Sequence, residues 1–208
     1  RYPLVTGVQT CALPISPAQM RAVAAQLYTE LRDGGYTQVC EFHYLHHDPQ
    51  GQPYARAAEM SEALADAAAE AGIGLTLLPV LYERAGFQAP ALRPDQRRFA
   101  TSVARVLELQ QAVRAPHVRA GVAVHSLRAA HPNSLRALAE RSSGPLHIHV
   151  AEQTAEVDDC QRTTGCRPIE WLARHAGLDA RWQLVHATHS VPAEIEAVAA
   201  HGAGVVLC

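Results

Sequence analysis

Two histidines and a glutamate lie close together in the segment from His147 to Glu152. The five residues from Leu146 to Val150 have the apolar character of a buried strand, whose side chains alternate between two faces. His147 and His149 are therefore expected on the same face, with Glu152 just beyond the end of the strand. An imidazole that binds a metal, followed by a carboxylate that moves protons, is typical of metal-assisted hydrolysis.

Polar residues follow three other predicted strands in the same way. They occupy residues 41–44, 125–128 and 186–189, and each group contains at least one histidine. Catalytic groups drawn from the C-terminal ends of several successive strands are typical of a (β/α)8 barrel. A doubly wound sheet would instead collect its ligand at one switch point, usually beside a glycine-rich turn. The sequence has no G-x-G-x-x-G or P-loop, which argues against nucleotide binding by those devices.

Helical and strand patterns alternate from Pro17 to the last residue. Ser16 and Pro17 predict a helix start, and Gly34 predicts its end. Strands are predicted at residues 38–42, 74–80, 118–124, 146–150, 183–185 and 204–207, with a helix between each pair. These strands are apolar on both faces, as a covered parallel sheet requires. The predicted fold class is therefore α/β, an incomplete TIM-type barrel.

Composition excludes several other classes of protein. The net charge is -2 and no run of lysine or arginine occurs, so nucleic acid is not an expected partner. No apolar run reaches the roughly 18 residues that span a bilayer, so no membrane association is expected. The five cysteines are odd in number and scattered, which disfavours a disulfide scaffold and fits a reducing cytoplasm.

Residues 1–16 do not join this pattern. They mix turn residues with short apolar pieces, and they resemble translated sequencing-adapter read-through. An ordinary N-terminal tail is the alternative, and neither interpretation assigns these residues a function. We therefore divide the chain into a non-native-looking tail, residues 1–16, and a partial barrel, residues 17–208.

Four segments together resemble the formimidoylglutamate deiminase family of the amidohydrolase superfamily. They are EFHYLHHDP at 41–49, GVAVHSLR at 121–128, HIHVAEQ at 147–153 and LVHATH at 184–189. The H-x-x-E step alone specifies the superfamily, and the first two segments indicate the deiminases. The resemblance covers residues 17–208 and implies a metal-dependent hydrolase barrel, of which this chain holds strands 2 to 7.

The resemblance implies one divalent metal, usually zinc. In the family an H-x-H pair on strand 1, a histidine on strand 5 and an aspartate on strand 8 bind it. His149 matches the strand 5 ligand, whereas strands 1 and 8 are missing from the segment, and His147 becomes a structural neighbour. Glu152 matches the position of the general acid and base, and His186 matches a strand 6 histidine that assists water activation.

The family reaction converts N-formimidoyl-L-glutamate to N-formyl-L-glutamate and ammonia, a step of histidine degradation. Arg128 and His125 match substrate-contacting positions, and a guanidinium can hold a carboxylate through two hydrogen bonds. Tyr44 is a further candidate for substrate contact. The resemblance thus implies a cytoplasmic enzyme with a small dicarboxylate substrate, and it allows a homodimer for the full-length protein.

Two other interpretations remain open at this point. One is a different deaminase or chlorohydrolase of the superfamily, acting on a nitrogen heterocycle that would give Arg128 no carboxylate partner. The other is an inactive barrel fragment, because six strands leave the barrel open and one ligand cannot hold zinc in a closed site. Open sheet edges favour aggregation, so we expect the 208-residue chain alone to be inactive and poorly soluble.

The remaining polar clusters are expected to be structural. His43, His46, His47 and Asp48 have the composition of a metal cluster but are predicted to form a loop. Glu156, Asp158 and Asp159 are predicted to form a solvated helix start. The other histidines are expected at the surface or at helix caps: His117, His131, His175, His189 and His201.

Overall fold

A computed structural model describes residues 14–208 of the chain. The predicted tail lies outside the described residues except for its last three positions. Ser16 is the N-cap of the first helix, where its hydroxyl accepts a hydrogen bond from the backbone N–H of Gln19. The carbonyl of Ile15 accepts a hydrogen bond from the Arg98 guanidinium. These last residues are therefore joined to the rest of the structure.

Helices and strands alternate along the described residues, as predicted. The helices are α1 Pro17–Asp33, α2 Glu59–Ala71, α3 Val103–Ala112, α4 Pro132–Arg141, α5 Thr154–Thr164, α6 Pro168–His175 and α7 Pro192–Ala200, with a short 3-10 helix at Pro94–Phe99. The strands are β1 Gln38–His43, β2 Gly74–Leu81, β3 Val118–Ala120, β4 Val122–Val124, β5 Leu146–Val150, β6 Trp182–His186 and β7 Gly204–Val206. None of these helices is long and apolar enough to cross a membrane.

The strands form one parallel sheet in the order β1-β2-β4-β5-β6-β7, and β3 pairs with β2. Apart from β3 and β4, which Gly121 joins directly, successive strands lie side by side and helices connect them. Within residues 14–208, β1 and β7 are the two edge strands, and each pairs with another strand on one side only. The sheet is therefore an open half-barrel, which confirms the predicted incomplete TIM-type fold.

Alternation along the strands divides the sheet into an outer and an inner face. In β5 the side chains of Leu146, Ile148 and Val150 are fully buried in the core between the sheet and the helices. His147 and His149 alternate with them and therefore point to the inner face. The apolar core thus holds one set of side chains, and the opposite set faces the interior of the barrel.

Gly121 interrupts the strand that the sequence predicted at residues 118–124. A Cβ atom at this position would lie 2.6 Å from the carbonyl oxygen of Pro145 and 2.7 Å from a methyl carbon of Leu78. Only glycine allows such a close approach of neighbouring backbone. The predicted single strand is therefore two short strands, β3 and β4, on either side of this contact.

His43 and His46 form a buried pair at the C-terminal end of β1. Their exposed fractions are 3% and 2%, and their rings meet edge to face with centroids 4.9 Å apart. His46 Nε2 donates to the carbonyl of Val80 at 3.3 Å. The other nitrogen of His46 and Nε2 of His43 are buried and have no hydrogen-bond partner among the described residues. His43 ends β1, and His46 lies in the loop that follows.

We expect the stability of the fold to fall below about pH 6.5 because of this pair. Burial lowers the pKa of His43 to about 4, and burial together with the neighbouring His43 lowers the pKa of His46 well below its usual range. As the pH falls, these histidines bind protons at a higher pH in the unfolded chain than in the folded protein. The stability of the fold is therefore complete above the unfolded pKa and is lost as the pH falls toward 4. For His43 alone the loss between pH 7 and pH 5 is about 2 kcal/mol.

Denaturant unfolding of a full-length protein that contains this segment, measured between pH 5 and 7, tests this expectation. The His43→Leu variant should show a shallower pH dependence than the wild type. The matched control is His131→Leu, because His131 is exposed. If wild type and His43→Leu lose the same free energy of unfolding over this range, protonation of His43 is not the cause.

Candidate active site

Three predicted site histidines meet at the C-terminal ends of β4, β5 and β6. The ring centroid of His149 lies 5.5 Å from that of His125 and 5.5 Å from that of His186. The parallel register pairs Val150 of β5 with His186 of β6, which brings the two strand ends level. The half-barrel therefore assembles imidazoles from three strands around His149.

A backbone carbonyl determines the tautomer of His149. Its Nδ1 lies 3.0 Å from the carbonyl oxygen of His125, and because a carbonyl can only accept, Nδ1 carries the proton. Nε2 then keeps its lone pair, which is the arrangement of a metal-binding imidazole. Burial lowers the pKa of His149, so the ring is neutral near pH 7.

This donor suits a metal ion as one member of a larger ligand set. Within residues 14–208 no group of three or more His, Cys, Asp or Glu side chains is arranged to hold a metal. His147, on the same face as His149, lines a cavity at the opposite end of the strands together with Thr76 and Gln183. His147 is thus placed away from the cluster.

Glu152 and His186 face each other across the same space. The carboxylate Oε1 of Glu152 lies 4.0 Å from Nε2 of His186. The exposed fractions of the two side chains are 36% and 24%, so both groups reach solvent. A carboxylate and an imidazole at this separation can exchange protons with a water or substrate held between them.

The predicted substrate-contacting residues are His125, which belongs to this cluster, and Arg128 and Tyr44, which lie near it. Nδ1 of His125 is 3.0 Å from the hydroxyl of Ser126, and burial lowers the pKa of His125 to about 3. Arg128 is close enough for its charge to lower the pKa of His125 and of His149 further. The ring of Tyr44 lies 6.0 Å from that of His125, and burial raises the pKa of Tyr44. Its hydroxyl therefore stays protonated and can donate.

Two aromatic residues that we did not predict complete the wall of the site. Phe42 packs against His149 with ring centroids 4.1 Å apart, and Tyr82 packs against His125 at 4.5 Å. Phe42 and Tyr44 lie two residues apart on one face of the chain, so strand alternation would have found Phe42. Tyr82 directly follows β2, and its place at a strand end was the available signal.

Glu41 does not belong to the cluster, although the sequence places it among the polar residues at the strand ends. The hydroxyl of Tyr28 on α1 donates to its Oε2 at 2.7 Å. Burial raises the pKa of Glu41. Because side chains alternate along β1, Glu41 points toward the helices while Phe42 points into the barrel.

The prediction of a solvated Glu156 is wrong. Asp158 and Asp159 are exposed as expected, but Glu156 is 6% exposed. Its two carboxylate oxygens accept hydrogen bonds from the backbone N–H groups of Ala151, at 3.3 Å, and Glu152, at 3.1 Å. The first turn of α5 faces the end of β5, which a local charge pattern does not reveal.

The backbone turns sharply at the two strand ends that carry these groups. Ala151, His186 and Ala187 have φ angles of 51°, 73° and 50°, in the left-handed region that residues with a Cβ rarely adopt. The N–H of Ala187 donates to the carbonyl of Val150 at 3.0 Å, which links the two turns. Such strain persists where surrounding contacts hold it, often at functional sites.

The chain is similar to known amidohydrolases over nearly all of its length. The formimidoylglutamate deiminase of Pseudomonas aeruginosa is 49% identical over 200 residues, which cover 93% of this chain and 44% of that protein. The crystal structure of an amidohydrolase from Brucella melitensis superposes with a TM-score of 0.93 and 43% identity, covering 100% of this chain and 48% of that one. The chain therefore spans less than half the length of these two proteins.

A more distant structure has the same fold. The atrazine chlorohydrolase of Arthrobacter aurescens, complexed with zinc, superposes with a TM-score of 0.79 at 23% identity and covers 98% of this chain and 46% of that one. The model of the amidohydrolase family matches residues 4–208. This match, together with the identity to the deiminase, shows that the chain belongs to the amidohydrolase family.

Proposed function

We propose that a full-length protein containing this segment hydrolyses N-formimidoyl-L-glutamate to N-formyl-L-glutamate and ammonia, as a cytoplasmic step of histidine degradation. The observation that carries the proposal is the 49% identity to the P. aeruginosa deiminase over 93% of the chain. The charge of Arg128 beside the histidine cluster supports it. The Arg128 side chain is 37% exposed, so its guanidinium can also bind a carboxylate of a dicarboxylate substrate, whereas a neutral heterocycle offers it none.

The proposed cofactor is zinc, with His149 as one ligand. The fold relative complexed with zinc supports this choice, as does the neutral imidazole with a free Nε2. A zinc ion bound there would supply a nucleophilic water at neutral pH. The carbonyl of His125 would hold the ring of His149 in its binding orientation.

Glu152 and His186 would move the protons of the reaction. Water adds to the formimidoyl carbon and ammonia leaves, so both protons of the water must pass, one after the other, to the departing nitrogen. Glu152 would accept each proton and deliver it, because its carboxylate lies in the open space beside His186, with Oε1 4.0 Å from Nε2 of His186. His186 would hydrogen-bond the attacking water and orient it.

Arg128, His125 and Tyr44 would hold the substrate. Arg128 would bind one substrate carboxylate, and Tyr44 would donate its hydroxyl to the same molecule. His125 is neutral because burial lowers its pKa to about 3, so it would act as a hydrogen-bonding group without charge. Phe42 and Tyr82 border the cluster with apolar surface and would limit water around the reacting carbon.

The proposed function is tested by ammonia release from N-formimidoyl-L-glutamate by the purified, zinc-loaded full-length protein. We expect this substrate to be used with a higher kcat/KM than a nitrogen heterocycle such as atrazine or 5-methylthioadenosine. The 208-residue chain alone is expected to release no ammonia. A full-length protein that prefers the heterocycle would overturn the proposed substrate class.

Replacing Arg128 with methionine should raise KM for N-formimidoyl-L-glutamate by about 100-fold and leave kcat within a few-fold. Each charge-assisted hydrogen bond contributes about 1.5–3 kcal/mol, and methionine removes the pair that holds the carboxylate. The matched control is Arg141→Met, because Arg141 is exposed at the end of α4. Unchanged KM in the Arg128 variant would remove Arg128 from the substrate site.

A further inference from the structure

The buried carboxylate of Glu156 contacts residues of the proposed site and has no part in the mechanism above. Glu156 is in the first turn of α5, and its side chain is 3% exposed. Its Oε1 accepts the N–H of Ala151 and its Oε2 accepts the N–H of Glu152. Both of these donors belong to the turn that follows β5. Glu156 therefore holds the peptide from which the Glu152 side chain extends.

The same carboxylate also faces the loop after β4. Its Oε2 lies 3.7 Å from Nη1 of Arg128, whose side chain is 37% exposed. One buried group thus contacts two strand ends, the first carrying the proposed substrate-binding arginine and the second carrying the proposed acid and base. Because Oε2 is shared between Arg128 and the N–H of Glu152, a change at this oxygen affects both.

The backbone that Glu156 holds is strained. Ala151 has a φ angle of 51°, in the left-handed region that disfavours residues with a Cβ. Without a carboxylate to accept the N–H groups of Ala151 and Glu152, this turn would lose two of the contacts that stabilise its conformation. The direction of the Glu152 side chain would then be less well defined.

We propose that Glu156 is a positioning residue that sets the distance between Arg128 and Glu152. When Arg128 binds a carboxylate of the substrate, the formimidoyl carbon would then lie at a fixed distance from the carboxylate of Glu152. The inference rests on the proposed function, since it takes the roles of Arg128 and Glu152 from it. It adds a physical link between substrate binding and proton transfer that neither residue provides alone.

A double-mutant cycle in the zinc-loaded full-length protein tests this link. Glu156→Gln keeps the size of the side chain but removes its charge, so Arg128 loses its partner. We expect KM for N-formimidoyl-L-glutamate to rise about tenfold, and kcat to fall about tenfold as Glu152 loses its fixed position. In the Arg128→Met background the same substitution should change KM by less than about twofold, while the fall in kcat persists.

The matched control is Glu170→Gln, which alters a similar glutamate at the start of α6. Glu170 accepts the N–H of Arg167 and pairs with Arg174, away from the site, so KM should not change. If Glu156→Gln folds poorly, Glu156→Asp keeps the charge with a shorter reach and should show a smaller rise in KM. A rise in KM that is the same with and without Arg128, or no rise, would overturn the proposal.

A second measurement separates this proposal from the proposed function. If the wild-type protein does not act on N-formimidoyl-L-glutamate, the proposed function fails, and a crystal structure of the folded Glu156 variant then decides. Displacement of Arg128 together with a changed turn at Ala151 and Glu152 would support the positioning role. An unchanged arrangement of these three residues would contradict it.

Discussion

Replacing Glu152 with glutamine in a full-length protein that contains this segment is expected to lower kcat by about 10²–10⁴-fold, the range typical of a lost general acid or base. KM should stay within about twofold, because glutamine has the same size and the substrate carboxylates are held elsewhere. Glu152 is half-exposed and faces His186, so the substitution leaves the core intact. An amide cannot accept and deliver the two protons that the departing nitrogen needs to leave as ammonia.

Steady-state kinetics with N-formimidoyl-L-glutamate measure this effect, and the unfolding free energy of the variant shows that the fold is intact. Glu140→Gln is the matched control, since Glu140 is an exposed glutamate on α4 and should leave kcat unchanged. A Glu152→Gln enzyme with wild-type kcat would assign proton transfer to another group. A large rise in KM with unchanged kcat would instead make Glu152 a substrate-binding residue.

Replacing Glu194 with alanine is expected to lower the free energy of unfolding by about 3–5 kcal/mol, because several hydrogen-bond donors lose a buried carboxylate, at about 1–3 kcal/mol for each buried donor left without a partner. Glu194 is 3% exposed, and its carboxylate accepts a hydrogen bond from Nε of Arg167 at 3.0 Å. It also accepts the backbone N–H groups of Val191, Ile169 and Glu170. Alanine would leave a guanidinium and three N–H groups at the starts of α6 and α7 without this acceptor.

Glu196→Ala provides a control on the same helix. Glu196 lies two residues further along α7 and is exposed, so its loss should change stability by no more than about 0.5 kcal/mol. Denaturant unfolding of both variants in the full-length protein measures the difference. Equal losses for the two variants would show that the buried contacts of Glu194 contribute little to stability.

Strand and helix positions were predictable because they depend on local patterns. Leu146–Val150 is apolar at alternate positions, and the structure has a strand with the same bounds. The helix start at Ser16 follows from a hydroxyl followed by proline, which needs no distant contact. Gly121 shows the limit of this reasoning, because the break it causes depends on Pro145 and Leu78, which come close only in the folded sheet.

The candidate site was predictable to the level of residue type and strand end. His125, His149 and His186 were selected because each ends an apolar strand, and parallel strands place such ends together. The roles of the glutamates could not be read in the same way. Glu152, Glu156 and Glu194 all lie near helix starts, yet the first is half-exposed and the other two are buried.

The sequence by itself determined the order of strands and helices, the residues at the strand ends, and the chemistry that those residue types favour. The tertiary structure decided which carboxylates are buried, where Glu41 points, and which nitrogen of His149 carries its proton. That proton depends on the carbonyl of His125, which directly follows the neighbouring strand β4. Strand and helix periodicity depends on residues that are consecutive in the sequence. Burial and hydrogen-bond partners depend instead on residues that meet only when the half-barrel forms.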